Sequence, residues 1–371
     1  MTRIHFIWRD RLSWRNLPTA VSLHGHTHFS RENLDFIPAY LRSLSLLGPV
    51  TRVMEARSRR NHSGEVWWTP PLPPREAFRI EREQIERGLG RRALISMTDH
   101  DEIAACRMIH LLHGADAGPI SLEWTVPLGP SFVHLGVHNL PSCRANAMFD
   151  ELRGFTANPR PRRLSELLAW LSEDPATLVV LNHPLWDEAH IGRTQHERMI
   201  RDLLAGNPGR IHAIELNGLR PWKENAGALE LSRAMGIPAV SGGDRHGPEP
   251  SACLNLTAAD TFSAFAREIR ENRRSVVLFL SRYADCPRVR QLEATWDLMR
   301  DYPEYPDRVR WTDRTFIQDR FGVSRSLSSI WGDDEPLAAR VGYQALRLFS
   351  HERLRPALRL AIARGRQEPA L

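Results

Sequence analysis

Residues 19–30 read TAVSLHGHTHFS. An apolar run closes in three histidines at alternate positions, His24, His26 and His28. In an extended chain residues i and i+2 share a face, so the rings of His24 and His26 can reach one point in space, while by His28 the chain is leaving the strand. A single His-x-His is weak evidence of metal binding. Its weight depends on whether similar side chains recur at equivalent places along the chain.

They do recur. ALISMT (93–98) is followed by Asp99, His100 and Asp101, TLVVLN (177–182) by His183, and IPAVSGG (237–243) by Asp244, Arg245 and His246. Glu123 lies inside SLEWTV (121–126) and His134 inside FVHLGVH (132–138). Between residues 19 and 280 short apolar runs alternate with helical patterns at 75–88, 101–112, 145–154, 164–173, 195–205, 222–235 and 261–272. That alternation predicts an α/β fold with a parallel sheet covered by helices, closed as a TIM-like barrel. In such a barrel the C-terminal strand ends converge on one face, so ligand-type residues far apart in sequence would form one polar cluster.

Two segments break the rhythm. Residues 51–74, TRVMEARSRRNHSGEVWWTPPLPP, read as an inserted loop whose Trp67 and Trp68 could wall a substrate. Beyond 280 the alternation gives way to mainly helical patterns, so 1–280 is read as the catalytic domain and 281–371 as a helical C-terminal extension. The arginine-rich end of that extension suits a packed helix, with a membrane surface or an acidic partner as alternatives.

Composition narrows the chemistry. The four cysteines, Cys106, Cys143, Cys253 and Cys286, contain no C-x-x-C pair, which argues against a disulfide framework and a thiolate zinc knuckle. Lys223 is the only lysine and has no Gly-rich loop before it, which argues against a Walker A site and a Schiff-base enzyme. The net charge of +6 comes from arginines interleaved with acids, so charge alone does not mark a nucleic-acid binder. No run of about 18 apolar residues occurs and the N-terminus carries early charge, from which a soluble, cytoplasmic protein is expected. Histidine and carboxylate without thiolate suit zinc, manganese or iron, and so many ligands imply two or three divalent ions. His110, His113, His190, His196, His212 and His351 have no strand-end position and are read as surface or helix residues.

LHGHTHFS, MTDHDE, LEWT with VHLGV, LNHPL and GGDRHG, taken in order, resemble the successive motifs of the PHP (polymerase and histidinol phosphatase) family over roughly residues 19–250. The resemblance implies a distorted seven-stranded β/α barrel with a trinuclear metal site that hydrolyses phosphate esters by a hydroxide bridging two ions. It implies that one metal takes His24, His26, Glu123 and Asp244. A second shares Glu123 and adds His134 and His183, with His138 as a rival to His134. The third takes His100 and His246, with Glu32, and Asp35 behind it, standing where the family has another ligand. His24, His26, His100, Glu123, Asp244 and His246 would carry catalysis, Asp99 would orient a ligand histidine, and Arg245 and Arg220 would grip a phosphate oxygen. The expected substrate is a small phosphorylated metabolite. A PHP-type exonuclease on nucleic acid, a metal-stabilised binding module and a C–N hydrolase are the alternatives; the last would want a lysine bridge that Lys223 is poorly placed to give.

Overall fold

The structure is a computed structural model that describes residues 2–10, 14–33, 66–114, 118–319, 321–332 and 334–349, with His351 and Leu354. Its strands are β1 Thr2–Phe6, β2 Thr19–Leu23, β3 Glu32–Asn33, β4 Val66–Trp68, β5 Arg92–Ser96, β6 Leu122–Leu128, β7 Ser131–His138, β8 Leu178–Leu181, β9 Ala213–Asn217, β10 Ala239–Gly242, β11 Cys253–Thr257, β12 Ser275–Phe279, β13 Thr315–Gln318 and β14 Ser324–Ser326. They form three separate sheets, ordered β1-β12-β11-β2-β5, β10-β9-β8-β7-β6 and β14-β13-β4-β3, and none closes on itself.

The seven-stranded barrel expected from the sequence is therefore incorrect, for reasons of chain direction. β6 and β7 are joined by a tight turn through Gly129, whose φ is 59°, with no helix between them, so they pair antiparallel, as do β7 and β8. β11, which follows a loop and not a helix, lies between β2 and β12 and runs antiparallel to both. The parallel expectation holds for β2 with β5, β8 with β9, β9 with β10 and β1 with β12.

The chain divides into two compact units, one of Met1–Phe29 with Leu72–Pro287, the other of Ser30–Pro71 with Arg288–Arg366. In the first, β2, β8, β9, β10 and β11 are buried along their whole length. This is why they read as continuous apolar runs without alternation. Val21, Leu23, Leu94, Leu178, Val180, Ala213 and Val240 from both five-stranded sheets pack with Phe262, Phe265, Ala266 and Ile269 of the helix Phe262–Asn272. That helix starts where Thr261 Oγ1 accepts from the backbone N–H of Ala264 at 3.1 Å, and its Arg270 donates to the carbonyls of Ser172 and Thr177 at 2.8 and 2.7 Å. Each of the large apolar side chains in this core contributes roughly 1.5–3 kcal/mol by burial.

At the ligand-bearing ends the two sheets meet through isolated parallel bridges, Gly25 with Arg245 and His100 with Glu123. His26 N donates to Arg245 O at 2.8 Å, Thr98 N to Gly25 O at 2.8 Å and Glu123 N to Asp99 O at 3.1 Å. The backbone itself thus holds the histidine-bearing turns in place.

The second unit combines β3, β4, β13 and β14 with the helices Leu327–Trp331 and Leu337–Phe349. The mainly helical reading of the C-terminal segment missed β13 and β14, which are short and lack an apolar run. Trp67 and Trp68 are buried on β4, opposite Phe316 and Thr315. The fully buried Arg314 donates to the carbonyls of Leu298, Arg300, Arg308 and Val309, a carbonyl cage that holds the unit's turns together. Residues 51–65 of the insertion and the arginine-rich stretch after Leu354 lie outside the described residues. Among the described residues no helix is long and apolar enough to cross a membrane.

Candidate metal centre

His24 and His26 follow β2, His100 follows β5, His183 follows β8, and Asp244 and His246 follow β10, while Glu123 and His134 project from β6 and β7. Their side chains converge. Five imidazoles close a ring by successive centroid contacts: His24 to His26 at 5.1 Å, His26 to His100 at 4.9 Å, His100 to His134 at 4.6 Å, His134 to His183 at 5.2 Å and His183 to His24 at 5.7 Å. His246 stacks outside the ring on His26, at 4.3 Å.

Glu123, fully buried, occupies the middle. Its Oε2 lies 2.9 Å from His24 Nε2, 3.3 Å from His26 Nε2 and 3.4 Å from His100 Nε2. Its Oε1 lies 3.1 Å from His183 Nε2 and 3.6 Å from His134 Nδ1, and accepts from Asn182 Nδ2 at 2.9 Å. Asp244 Oδ1 is 3.5 Å from His24 Nε2, 3.6 Å from His26 Nε2 and 3.6 Å from His246 Nδ1.

Many of these separations exceed a hydrogen bond, for which N···O is about 2.7–3.2 Å. They match another arrangement. Two donors each ~2.1 Å from a tetrahedral ion stand ~3.4 Å apart. The donor atoms of His24, His26 and Glu123, of His24, His183 and Asp244, and of His100, Glu123 and His134 each lie within 4.8 Å of one another. All are nitrogen or carboxylate oxygen, the donor chemistry of divalent ions such as zinc, manganese or iron, so the residues fit divalent metal binding. His24, His26 and Glu123 stand together, as the resemblance implies for one metal, while the same distances also set His100 with Glu123 and His134, and His183 with His24 and Asp244.

Backbone conformation adds a second sign. His24, His183 and Asp244 have φ of 62°, 26° and 51°, in the left-handed region that costs a non-glycine residue about 1–3 kcal/mol. Three strained residues within one cluster are what a functional site tolerates. Gly136 stands directly opposite Glu123 in the β6–β7 pair, and a Cβ there would come within 2.7 Å of His138 Nε2 and 2.9 Å of Asn182 Oδ1. Its missing side chain is the space in which Asn182 reaches Glu123.

The electrostatics follow from this crowding. Burial alone would lower the pKa of His24, but the carboxylates of Glu123, Glu215 and Asp244 outweigh it and hold it well above the ordinary imidazole value. Burial would raise Glu123 and Asp244; the surrounding imidazoles overcome it and hold both well below the usual carboxylate range. Burial lowers His134 well below its usual value, and the neighbouring His100 and His183 add to that. Divalent ions binding there would compete with protons for the imidazole nitrogens.

His138 does not join the ring. It lies farther along β7, its Nδ1 2.7 Å from Ser96 Oγ, and burial, with the charge of His24, pushes its pKa down to about 3. A histidine protonated at about 6.5 in the unfolded chain but neutral when folded contributes stability that is complete above pH 6.5 and is lost as pH falls toward 3. Between pH 6.5 and 5 the wild type is expected to lose about 2 kcal/mol more unfolding free energy than His138→Asn. Urea denaturation at the two pH values measures this, and parallel slopes would reject it. His212 is another correction to the surface-or-helix reading: it is buried before β9, where its Nδ1 accepts from Val179 N at 2.9 Å.

The remaining expected residues fall as follows. Asp99 holds the turn after β2, accepting from Thr27 N at 2.6 Å and Thr27 Oγ1 at 2.7 Å. Arg245 is 3% exposed and its Nε lies 2.9 Å from Glu81 Oε1. Arg220 lies over the ring of Trp186 at 4.7 Å and pairs with Glu224, and Trp186 in turn packs edge-on to His183. Glu32 belongs to the second unit, where it accepts from Ser30 Oγ at 2.6 Å; Asp35 lies outside the described residues. Sequence reading gave no role to Asn182, although it completes the surroundings of Glu123.

No family model matches the chain, and no curated protein matches it. Among solved structures it is similar to PsfC from Pseudomonas syringae (13% identity, TM-score 0.41, covering 71% of this chain and 93% of that one). It is also similar to an amidohydrolase from Chromobacterium violaceum with bound sulfate (16%, 0.38, 61% and 87%). A third is a protein described as a metal-dependent phosphoesterase from Bifidobacterium adolescentis (13%, 0.30, 48% and 84%).

Proposed function

We propose that the chain is a PHP-like metal-dependent phosphoesterase acting on a small phosphorylated metabolite. The observation that carries this reading is the placement of one buried carboxylate, Glu123, at the centre of five imidazoles, with Asp244 as a second acid against His24 and His26. His24, His26, His100, His134, His183, Glu123 and Asp244 would hold two or more divalent ions, with His246 at the edge of the ring. Bound there, such ions would supply a nucleophile at neutral pH and neutralise phosphoryl oxygens.

The chain's own residues do the rest. Glu123 divides its two oxygens between the His24, His26 and His100 side and the His134 and His183 side, which keeps two ligand groups at a fixed separation. Arg220, braced by Glu224 and Trp186, would be the arginine that meets a substrate phosphate. Arg245, turned to Glu81, serves structure.

Metal analysis of the purified protein, combined with a phosphate-release screen over monoesters, diesters and short oligonucleotides, tests the reading. Zinc, manganese or iron at two or more per chain and release from a small monoester are expected, with turnover reduced at least ~10³-fold in His24→Ala and Asp244→Ala. Unchanged turnover in those variants would exclude this cluster as the catalyst. Cleavage of oligonucleotides alone would overturn the metabolite assignment.

A further inference from the structure

Glu215 lies outside every ligand group described above, yet it is 1% exposed and bonded to two of their members, His24 and His183. Its Oε1 is 2.5 Å from His24 Nδ1, the ring nitrogen that faces away from Glu123 and Asp244. Its Oε2 accepts from His183 N at 2.7 Å and from Asn217 Nδ2 at 3.0 Å, and the same Asn217 amide donates to Asp244 Oδ2 at 3.1 Å. His24, His183 and Asp244 are the three members of one ligand group and also the three cluster residues with positive φ. A single carboxylate therefore ties together the strained turns that deliver all three.

Room for it is made by Gly242 on the neighbouring strand β10. A Cβ on Gly242 would stand 1.6 Å from Glu215 Oε1 and 2.5 Å from its Cδ. Gly242 sits in ordinary extended backbone, so alanine there is opposed by the carboxylate and not by the conformation of the chain.

We propose that Glu215 is a positioning residue of the metal centre, fixing the ring and tautomer of His24 and the backbone of His183, and that Gly242 is kept free of a side chain to admit it. This rests on reading the cluster as a metal centre. Accepting from Nδ1–H leaves His24 Nε2 unprotonated and aimed at an ion, the arrangement by which a carboxylate raises the basicity of a ligand histidine. Glutamine cannot reproduce it. An amide with its oxygen toward His183 N and Asn217 turns its NH₂ to His24 Nδ1, which moves the ring proton to Nε2 and removes that nitrogen as a ligand. The opposite rotamer sets NH₂ against two donors.

The test is cobalt and zinc titration of the full-length, chelator-treated protein, read by the dissociation constant and by the cobalt d–d spectrum, with unfolding midpoints measured in parallel. Glu215→Gln is expected to weaken binding ~10–100-fold and to change the cobalt spectrum, Gly242→Ala to do the same without altering any polar group, and Glu215→Asp to recover part of the loss. If Glu215 acts through His24, adding Glu215→Gln to His24→Ala costs much less than it does in the wild type. Wild-type affinity and spectrum in the folded fraction of Glu215→Gln, whatever its unfolding midpoint, would overturn the proposal while leaving the metal centre intact. So would full additivity with His24→Ala. A wild-type protein that binds no ion would overturn both.

Discussion

Glu123→Gln is expected to lower phosphate release at least ~10³-fold, equivalent to about 4 kcal/mol of transition-state stabilisation, and to lose metal together with activity. The substitution keeps the volume of the side chain, so the space it fills in the buried site is unchanged. What changes is charge and donor count. Five imidazoles now surround a neutral amide, one of whose two positions is an NH₂ that cannot ligate an ion and that opposes either the His24, His26 and His100 side or the His134 and His183 side. Initial rates with and without added zinc or manganese, alongside a circular dichroism spectrum, separate loss of the site from loss of the fold. A variant with native spectrum, native metal content and native rate would show that Glu123 is no more than a buried acceptor for histidines.

Arg245→Met is expected to cost about 3–5 kcal/mol of unfolding free energy, because it leaves Glu81 as a buried charge without its cation. Both side chains are 2% exposed. Glu81 would keep its bonds from Ser22 Oγ at 2.8 Å and from Ser251 N and Oγ at 3.0 Å each, which places the loss near the lower end of that range. Adding Glu81→Gln to Arg245→Met should recover part of the loss, since two neutral partners are cheaper to bury than one lone charge. Urea denaturation of the two single variants and the double variant measures the coupling. An Arg245→Met protein of native stability whose KM for a phosphate ester has risen would instead place this arginine on the substrate.

These two residues also mark what one sequence can and cannot reveal. Strand-end histidines and acids were legible because an apolar run that stops at a ligand-type side chain is a local pattern, and His24, His100, His183 and Asp244 each carry it. The barrel was not, because strand direction depends on whether a turn or a helix lies between runs. Gly129 and Pro130 alone join Leu128 to Ser131 where a parallel alternation needs a helix, and CLNLT at 253–257 is a strand with no helix before it. The partner of Arg245, Glu81, stands 164 positions away on the helix Pro74–Glu83, where it reads as one more surface acid, so their buried pairing is not legible in the sequence. Glu215 and Asn217 share a face of AIELN by simple alternation, but whether such a face meets solvent, substrate or a histidine is set by the packing of β9 between β8 and β10.

Anomalous diffraction from crystals grown with manganese or zinc reaches the central claim most directly. At least two anomalous peaks are expected inside the ring of His24, His26, His100, His134 and His183, both within bonding distance of the Glu123 carboxylate. Crystals that diffract well in saturating metal and show no peak there, with Glu123 still hydrogen-bonded to its histidines, would contradict it.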